Sequence, residues 1–242
     1  MRALAHVAVV VALLAVGTEA VSGPGTRAAV WDFRTGLTLL RWAAYGGGAA
    51  AVLGVGALVR GAVGRDRRAM ALAAVALVLG LASFLPPYLT LRHAQGLPPI
   101  HDISTDLADP PAFVEVLKRR TAPGLNSAVH EGAKLAEQQR RAYPDLVPLA
   151  WKVSPADAFR KAEAVVQQMG WEPVAADAAA GRIEATDTTT FFGFKDDVVV
   201  RIRASAEGSV VDVRSLSRVG RGDAGKNAQR VRAFMAALSG GA

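Results

Sequence analysis

Hydrophobic and polar positions divide the chain into parts with different periods. Apolar residues first run in long blocks at 3–21, 37–59 and 69–89. At 1.5 Å per residue each block is long enough to cross a hydrocarbon core of roughly 30 Å, so three transmembrane helices are predicted. Between 92 and 145 prolines recur at Pro98, Pro99, Pro110, Pro111, Pro123 and Pro144. That segment is expected to be extended and to wrap over a folded neighbour, with one short helix over about 126–141. From 146 onward short periods return. Residues 147–153 read as a strand. Ser154-Pro155-Ala156-Asp157 opens a helix with a hydroxyl cap, proline at its first position and an acid in its first turn. Phe159, Ala162, Val165, Val166 and Met169 line one face of that helix, and Gly170 stops it. Four strands follow at 171–175, 181–188, 195–205 and 209–219. A last helix, capped by Gly222-Asp223, carries Val231, Phe234, Met235 and Leu238 as its apolar stripe.

The expected organisation is therefore a transmembrane anchor (1–91), a proline-rich wrapping segment (92–145) and an α+β domain (146–242). In that domain a β-α-β-β-β-β-α order gives an antiparallel sheet with helices on one face and water on the other. The first block leaves an alternative open. Met1-Arg2, an apolar run to Val16 and the end Thr18-Glu19-Ala20 also fit a cleaved signal peptide.

Register can be tried on the third and fourth of those strands. A hairpin around Ala206-Glu207-Gly208-Ser209 that pairs Ser205 with Val210 puts Val200, Ile202 and Ala204 with Val211, Val213 and Ser215 on the core face. The other face sets Arg203 against Asp212, Asp197 against Arg218, and Arg201 against Arg214. Two guanidinium groups side by side need a carboxylate or a bound anion between them. Glu184 of the preceding strand is one source of that carboxylate. An anion held by Arg201, Arg214 and Arg218 is the other reading.

Composition fits a membrane protein: 51% of residues are hydrophobic, 20% are charged, and the mean hydropathy is +0.24. The net charge of +7 changes meaning once it is located. Residues 1–92 hold nine arginines against Glu19, Asp32 and Asp66, whereas the rest of the chain is nearly neutral. The basic excess therefore flanks the apolar blocks, and no nucleic-acid partner is expected. Four arginines fall within 60–68, against two in the 21–36 loop. By the positive-inside rule the second loop is cytoplasmic and everything after residue 89 lies on the outer face of the membrane; the expected location is a bacterial cytoplasmic (inner) membrane, with that face toward the periplasm if the cell is Gram-negative. The absence of cysteine excludes disulfides, thiol catalysis and cysteine-ligated metals. No cofactor and no metal are implied.

Candidate chemistry is sparse. Gly46, Ala50 and Gly54 recur every four residues in the second block, spacing suited to packing on its own neighbours or on a partner or second copy. His101, Asp102, Ser104, Thr105 and Asp106 form the one place where a histidine, two carboxylates and two hydroxyls gather. They read either as turn chemistry or as a general base with orienting carboxylates in a hydrolase or metal-assisted enzyme. Phe191, Phe192 and Phe194 surround Gly193 in a loop, where they either plug the sheet or meet membrane or partner. Gly220 and Gly222 lead into the last helix, whose N-terminus, with Arg218, Arg221, Asn227 and Arg230, suits either an anion or a structural cap by Asp223.

Three of these blocks together resemble a known family, the domain-of-unknown-function family numbered 1499. They are Pro99-Ile-His101-Asp102-Ile-Ser104-Thr105-Asp106, Phe192-Gly193-Phe194-Lys195-Asp196-Asp197 with the Val198–Arg201 run, and Val211-Asp212-Val213-Arg214 through Asn227 and Arg230. The resemblance spans about 95–240 and leaves the membrane blocks as an addition. It implies an envelope or plastid-associated domain with no assigned catalytic residues. The residues themselves point to a membrane-anchored envelope protein whose outer domain binds a partner, lipid headgroup or small anion.

Overall fold

The computed structural model describes residues 2–240. They form two compact units. One comprises the chain up to His93 together with Thr190–Gly193, the other Ala94–Thr189 and the chain from Phe194.

The first unit is built on three helices, α1 (Arg2–Arg27), α2 (Phe33–Val63) and α3 (Arg67–Gln95), each long and apolar enough to cross a membrane. Lipid gives no hydrophobic drive for apolar helices to associate, so close backbone approach has to supply the attraction. The buried positions are accordingly small: Ala5, Ala8, Ala12 and Ala15 on α1, Gly47, Ala50, Gly54 and Ala57 on α2, and Ala69, Ala73, Ala76 and Gly80 on α3. The closest approach is glycine on glycine. A Cβ on Gly47 would lie 2.7 Å from the Gly80 carbonyl oxygen, and one on Gly80 would lie 2.6 Å from that of Gly47. Valines and leucines such as Leu14, Val52 and Val78 face outward. The stripe of Gly46, Ala50 and Gly54 is used inside this bundle: Gly46 lies against Ala15 and Gly54 against the Ala73 backbone, and Ala50 is fully buried. Thr190–Gly193 belongs to the same unit. Arg27 Nη1 donates to the Thr190 carbonyl at 2.6 Å, and the Phe191 ring covers Gly23, where a Cβ would lie 2.4 Å from it.

The second unit is an antiparallel sheet of six strands. They are β1 (Asp102–Ser104), β2 (Leu149–Trp151), β3 (Glu172–Asp177), β4 (Arg182–Thr188), β5 (Lys195–Ser205) and β6 (Gly208–Ser217). The order is β1-β6-β5-β4-β3, with β2 also paired to β6. A short 3-10 helix (Val116–Arg119) and α4 (Ala133–Ala142) lie between β1 and β2, α5 (Pro155–Gln168) follows β2, and α6 (Lys226–Leu238) ends the unit. The α5 cap is as its sequence implies: Ser154 Oγ accepts from the Asp157 amide at 3.1 Å. The core lies on one face, where Phe159, Ala162 and Val166 of α5 and Val231 and Phe234 of α6 meet Ile183, Val198, Val200, Val211 and Val213. Trp171 stacks on Phe234 with ring centroids 5.6 Å apart.

Five expectations are corrected. The sheet gains β1 from the segment expected to be mostly extended and irregular, and the helix expected over 126–141 is confined to α4. The β5–β6 register is two residues tighter: Ser205 pairs with Gly208, so Arg201 faces Asp212, and Arg214 faces Val199 instead of Arg201. A shift of two preserves every face, which is why the core side stands while the directly opposite partners change; Arg203 and Asp212, and Asp197 and Arg218, still meet on the diagonal. Gly208 makes the tight turn with φ +140°, and a Cβ there would lie 2.5 Å from the Trp151 carbonyl oxygen. The second face is also not wet. Glu184, Asp197, Val199, Asp212, Arg214 and Leu216 are all buried, and Phe113 and Val116 of the wrapping segment pack on Val199 and Leu216. Finally, α6 starts at Lys226 behind Gly225, three residues later than Asp223.

Candidate functional site

The covered face of the sheet holds most of the residues singled out from sequence. Alternation along β4, β5 and β6 puts Glu184, Asp197, Arg201, Asp212 and Arg214 on it, Arg218 follows just past the end of β6, and the segment after β1 lays Asp106, Asp109 and Arg120 over them. Arg214 forms a bidentate pair with Asp102 (2.9 and 2.7 Å), donates to the carbonyls of Pro111 and Ala128, and lies 4.9 Å from the Phe113 ring centre. Arg218 grips Asp197 through Nε and Nη2, Arg120 reaches the same carboxylate at 2.5 Å, and Thr186 donates to it at 2.8 Å. Arg201 is shared among Asp212, Asp106 and Asp109, and Arg203 joins Asp212 and Asp106.

Each arginine on this face therefore has carboxylate partners. Burial works against ionisation of Asp106, but the amides of Asp109 and Ala108 and the charges of Arg201 and Arg203 outweigh it and hold the carboxyl below the usual range. Glu184 does not sit between Arg201 and Arg214. It accepts from the amides of Val114, Glu115 and Val116 at 2.9, 3.2 and 2.7 Å, neutralising the start of the 3-10 helix, with Arg182 at 3.0 Å.

A second cluster lies on the α6 side. Arg230 binds Asp187 and Asp196 at 2.7 and 2.6 Å and bridges to Ser215 and Asn227. Asn227 in turn donates to the His101 carbonyl and to Ser217 Oγ, tying α6 to both β1 and β6. Asp223 accepts from the amides of Gly225 and Asn227, both at 2.8 Å, so the anion at this helix N-terminus is the protein's own carboxylate. Its desolvation raises the carboxyl above the ordinary range despite those amides.

His101, Asp102 and Asp106 have separate partners. The His101 ring nitrogen Nδ1 lies 3.4 Å from the Arg221 carbonyl oxygen, Asp102 is committed to Arg214, and Asp106 to Arg201, Arg203 and two local amides. Among the described residues no group of three or more His, Asp or Glu is arranged to hold a metal ion. Sequence reasoning missed Arg120, Asp109 and Arg182, which carry no periodic signal because their roles depend on where an irregular segment or a neighbouring strand lands.

The ligand-sized concavities lie away from these charges. A groove of about 540 Å³ runs between α5 and the β3–β4 turn, lined by Pro155, Ala156, Phe159, Ala178, Ala179, Ala180, Gly181, Ile202 and Ala204 and by Arg160, which pairs with Asp157. A smaller one, about 300 Å³, lies between α6 and the chain entering β2, with the Arg232–Asp145 pair beside Leu146, Leu149 and Met235.

His130 is half-buried ahead of α4. Its Nδ1 accepts from the Gly132 amide at 3.1 Å, which places the proton on Nε2, a buried atom without a partner. Burial lowers its pKa, with Arg214 pushing the same way and Asp102 opposing. A histidine lowered on folding binds fewer protons folded than unfolded, so stability falls as pH drops below its ordinary value of 6.5 toward the folded one. Thermal melts of wild type at pH 7.5 and 5.5 are expected to differ more than those of His130→Gln. Equal differences would rule out this origin.

A family model described as "Protein of unknown function (DUF1499)" matches residues 102–238, which is more than half of the chain. The match starts at the first residue of β1 and ends at the last of α6, so both ionic clusters lie inside it and the three long helices outside. No curated protein matches the sequence.

Proposed function

Because the chain belongs to the DUF1499 family of proteins of unknown function, we propose its role from geometry: a bacterial envelope protein, held in the inner membrane by three helices, whose periplasmic α+β domain binds a partner protein. The observation that carries this reading is the distribution of charge. Arg201, Arg214, Arg218 and Arg230, the cations suited to a small anion or headgroup, are held by the protein's own carboxylates, and Asp223 fills the α6 N-terminus. The open groove beside α5 is apolar and lined by small residues, which suits an apolar segment of a partner. The separate engagements of His101, Asp102 and Asp106 give a hydrolase or metal-assisted reaction no support. A homo-oligomer would have to form without Gly46, Ala50 and Gly54, which serve the bundle. Phe191, 43% exposed, is the loop aromatic best able to meet bilayer or partner; Phe192 and Phe194 follow it on either side of Gly193.

The chain has no cysteine, so a single Ala179→Cys in the groove gives a unique thiol. Labelling in spheroplasts with a membrane-impermeant benzophenone maleimide is expected, because the domain faces outward, and photolysis is expected to give one discrete adduct. Glu137→Cys on α4 is expected to label without an adduct. Absence of labelling defeats the orientation. Absence of an adduct, together with phosphate binding that Arg201→Gln removes, defeats the partner reading in favour of an anion.

A further inference from the structure

We propose that the α2–α3 end of the helical unit is a binding site for the phosphate of an anionic phospholipid. A concavity of about 520 Å³ there is lined by Arg2, Gly64, Arg65, Asp66, Arg67 and Arg68. The one carboxylate is already spent: Asp66 pairs with Arg2 Nε at 2.8 Å and caps α3 by accepting from the Ala69 amide at 3.2 Å. Arg65, Arg67 and Arg68 have no carboxylate partner among the described residues, so the concavity presents uncompensated guanidinium groups. Guanidinium forks match phosphate oxygens in geometry as well as charge.

The apolar surface alongside selects a lipid over a soluble anion. Val59 and Val63, on the last turns of α2, are 60% and 84% exposed. An amphiphile can pair its phosphate with the arginines while its chains run along these valines, whereas a free anion uses only the first half of the site. The site depends on the helices crossing a bilayer. It depends neither on their orientation nor on the groove beside α5, so it can fail or stand independently of the partner reading.

The test is lipid retention by the full chain in detergent, read by native mass spectrometry with added phosphatidylglycerol or phosphatidylcholine. Preference for phosphatidylglycerol is expected. It should fall on the order of a hundredfold when Arg65, Arg67 and Arg68 are all changed to Gln, and should survive Arg34→Gln at the other end of α2. If the triple variant fails to insert, Arg67→Gln and Arg68→Gln singly carry the test at roughly fivefold each. Millimolar glycerol phosphate is expected not to displace the lipid. Wild-type preference in the Gln variants would overturn the site, and displacement by glycerol phosphate would overturn the lipid as its ligand.

Discussion

Arg214→Met is expected to cost the α+β unit about 3–5 kcal/mol, and most of that loss is expected to return when Asp102→Leu is added. The side chains of Arg214 and Asp102 are 3% and 4% exposed, so removing the guanidinium alone leaves a desolvated carboxylate facing apolar surroundings. Removing both charges leaves a methionine over the Phe113 ring, in a layer that already contains Val116, Val199 and Leu216. The recovery should be incomplete. Arg214 also donates to the carbonyls of Pro111 and Ala128, and each carbonyl left without a donor costs about 1 kcal/mol or more. Pulse proteolysis in urea on the wild type, both single variants and the double gives the coupling. A single variant within 1 kcal/mol of wild type, or a double as damaged as the sum, would show that the pair does not hold β1 to β6.

How much of this was legible in the sequence depends on whether a residue's role is set by local period or by distant placement. The three apolar blocks, the capped α5 and the two long strands announce themselves through runs, caps and alternation, and the structure has them within a few residues at most boundaries. Alternation also put Asp197, Arg201, Asp212, Arg214 and Arg218 on one face. What the period could not supply was the exact offset of β5 on β6, since a slip of two residues leaves each face unchanged and only re-pairs the charges. The cover on that face was illegible for a different reason. Its attachment points, Asp106, Asp109 and Arg120, sit in a proline-rich stretch without a period, and the amides that Glu184 accepts from become donors only when the 3-10 turn is laid across β4. The charges on the sheet looked like ligand sites because Asp102, the partner of Arg214, and Arg120, a partner of Asp197, come from 112 and 77 residues away.

Asp197→Ala is expected to be at least as damaging as Arg214→Met, and unlike that variant to have no simple rescue, because this carboxylate serves two arginines from different parts of the unit. Arg218 belongs to the sheet end of β6, whereas Arg120 belongs to the cover, and both guanidinium groups are largely buried. Without Asp197 they are left close together with Thr186 Oγ1 and the Asn126 carbonyl as neutral acceptors, so like charges repel where a shared anion had joined them. The expected cost is about 3–5 kcal/mol or more, with Asp197→Asn close behind, since an amide keeps the shape but not the charge. Arg120→Met should differ in kind. Arg218 then keeps its bidentate pair, the sheet stays intact, and what loosens is the segment around the 3-10 helix, which carries Lys118 and Arg119. Limited trypsin digestion under native conditions separates the two. Arg120→Met is expected to be clipped at Lys118 or Arg119 while the remainder resists, whereas Asp197→Ala is expected to be degraded throughout, because the same loss reaches both the cover and the strands beneath it. Identical digestion patterns would mean that cover and sheet unfold as one cooperative piece, and Asp197 would then be an ordinary core residue with no special place as the junction between them.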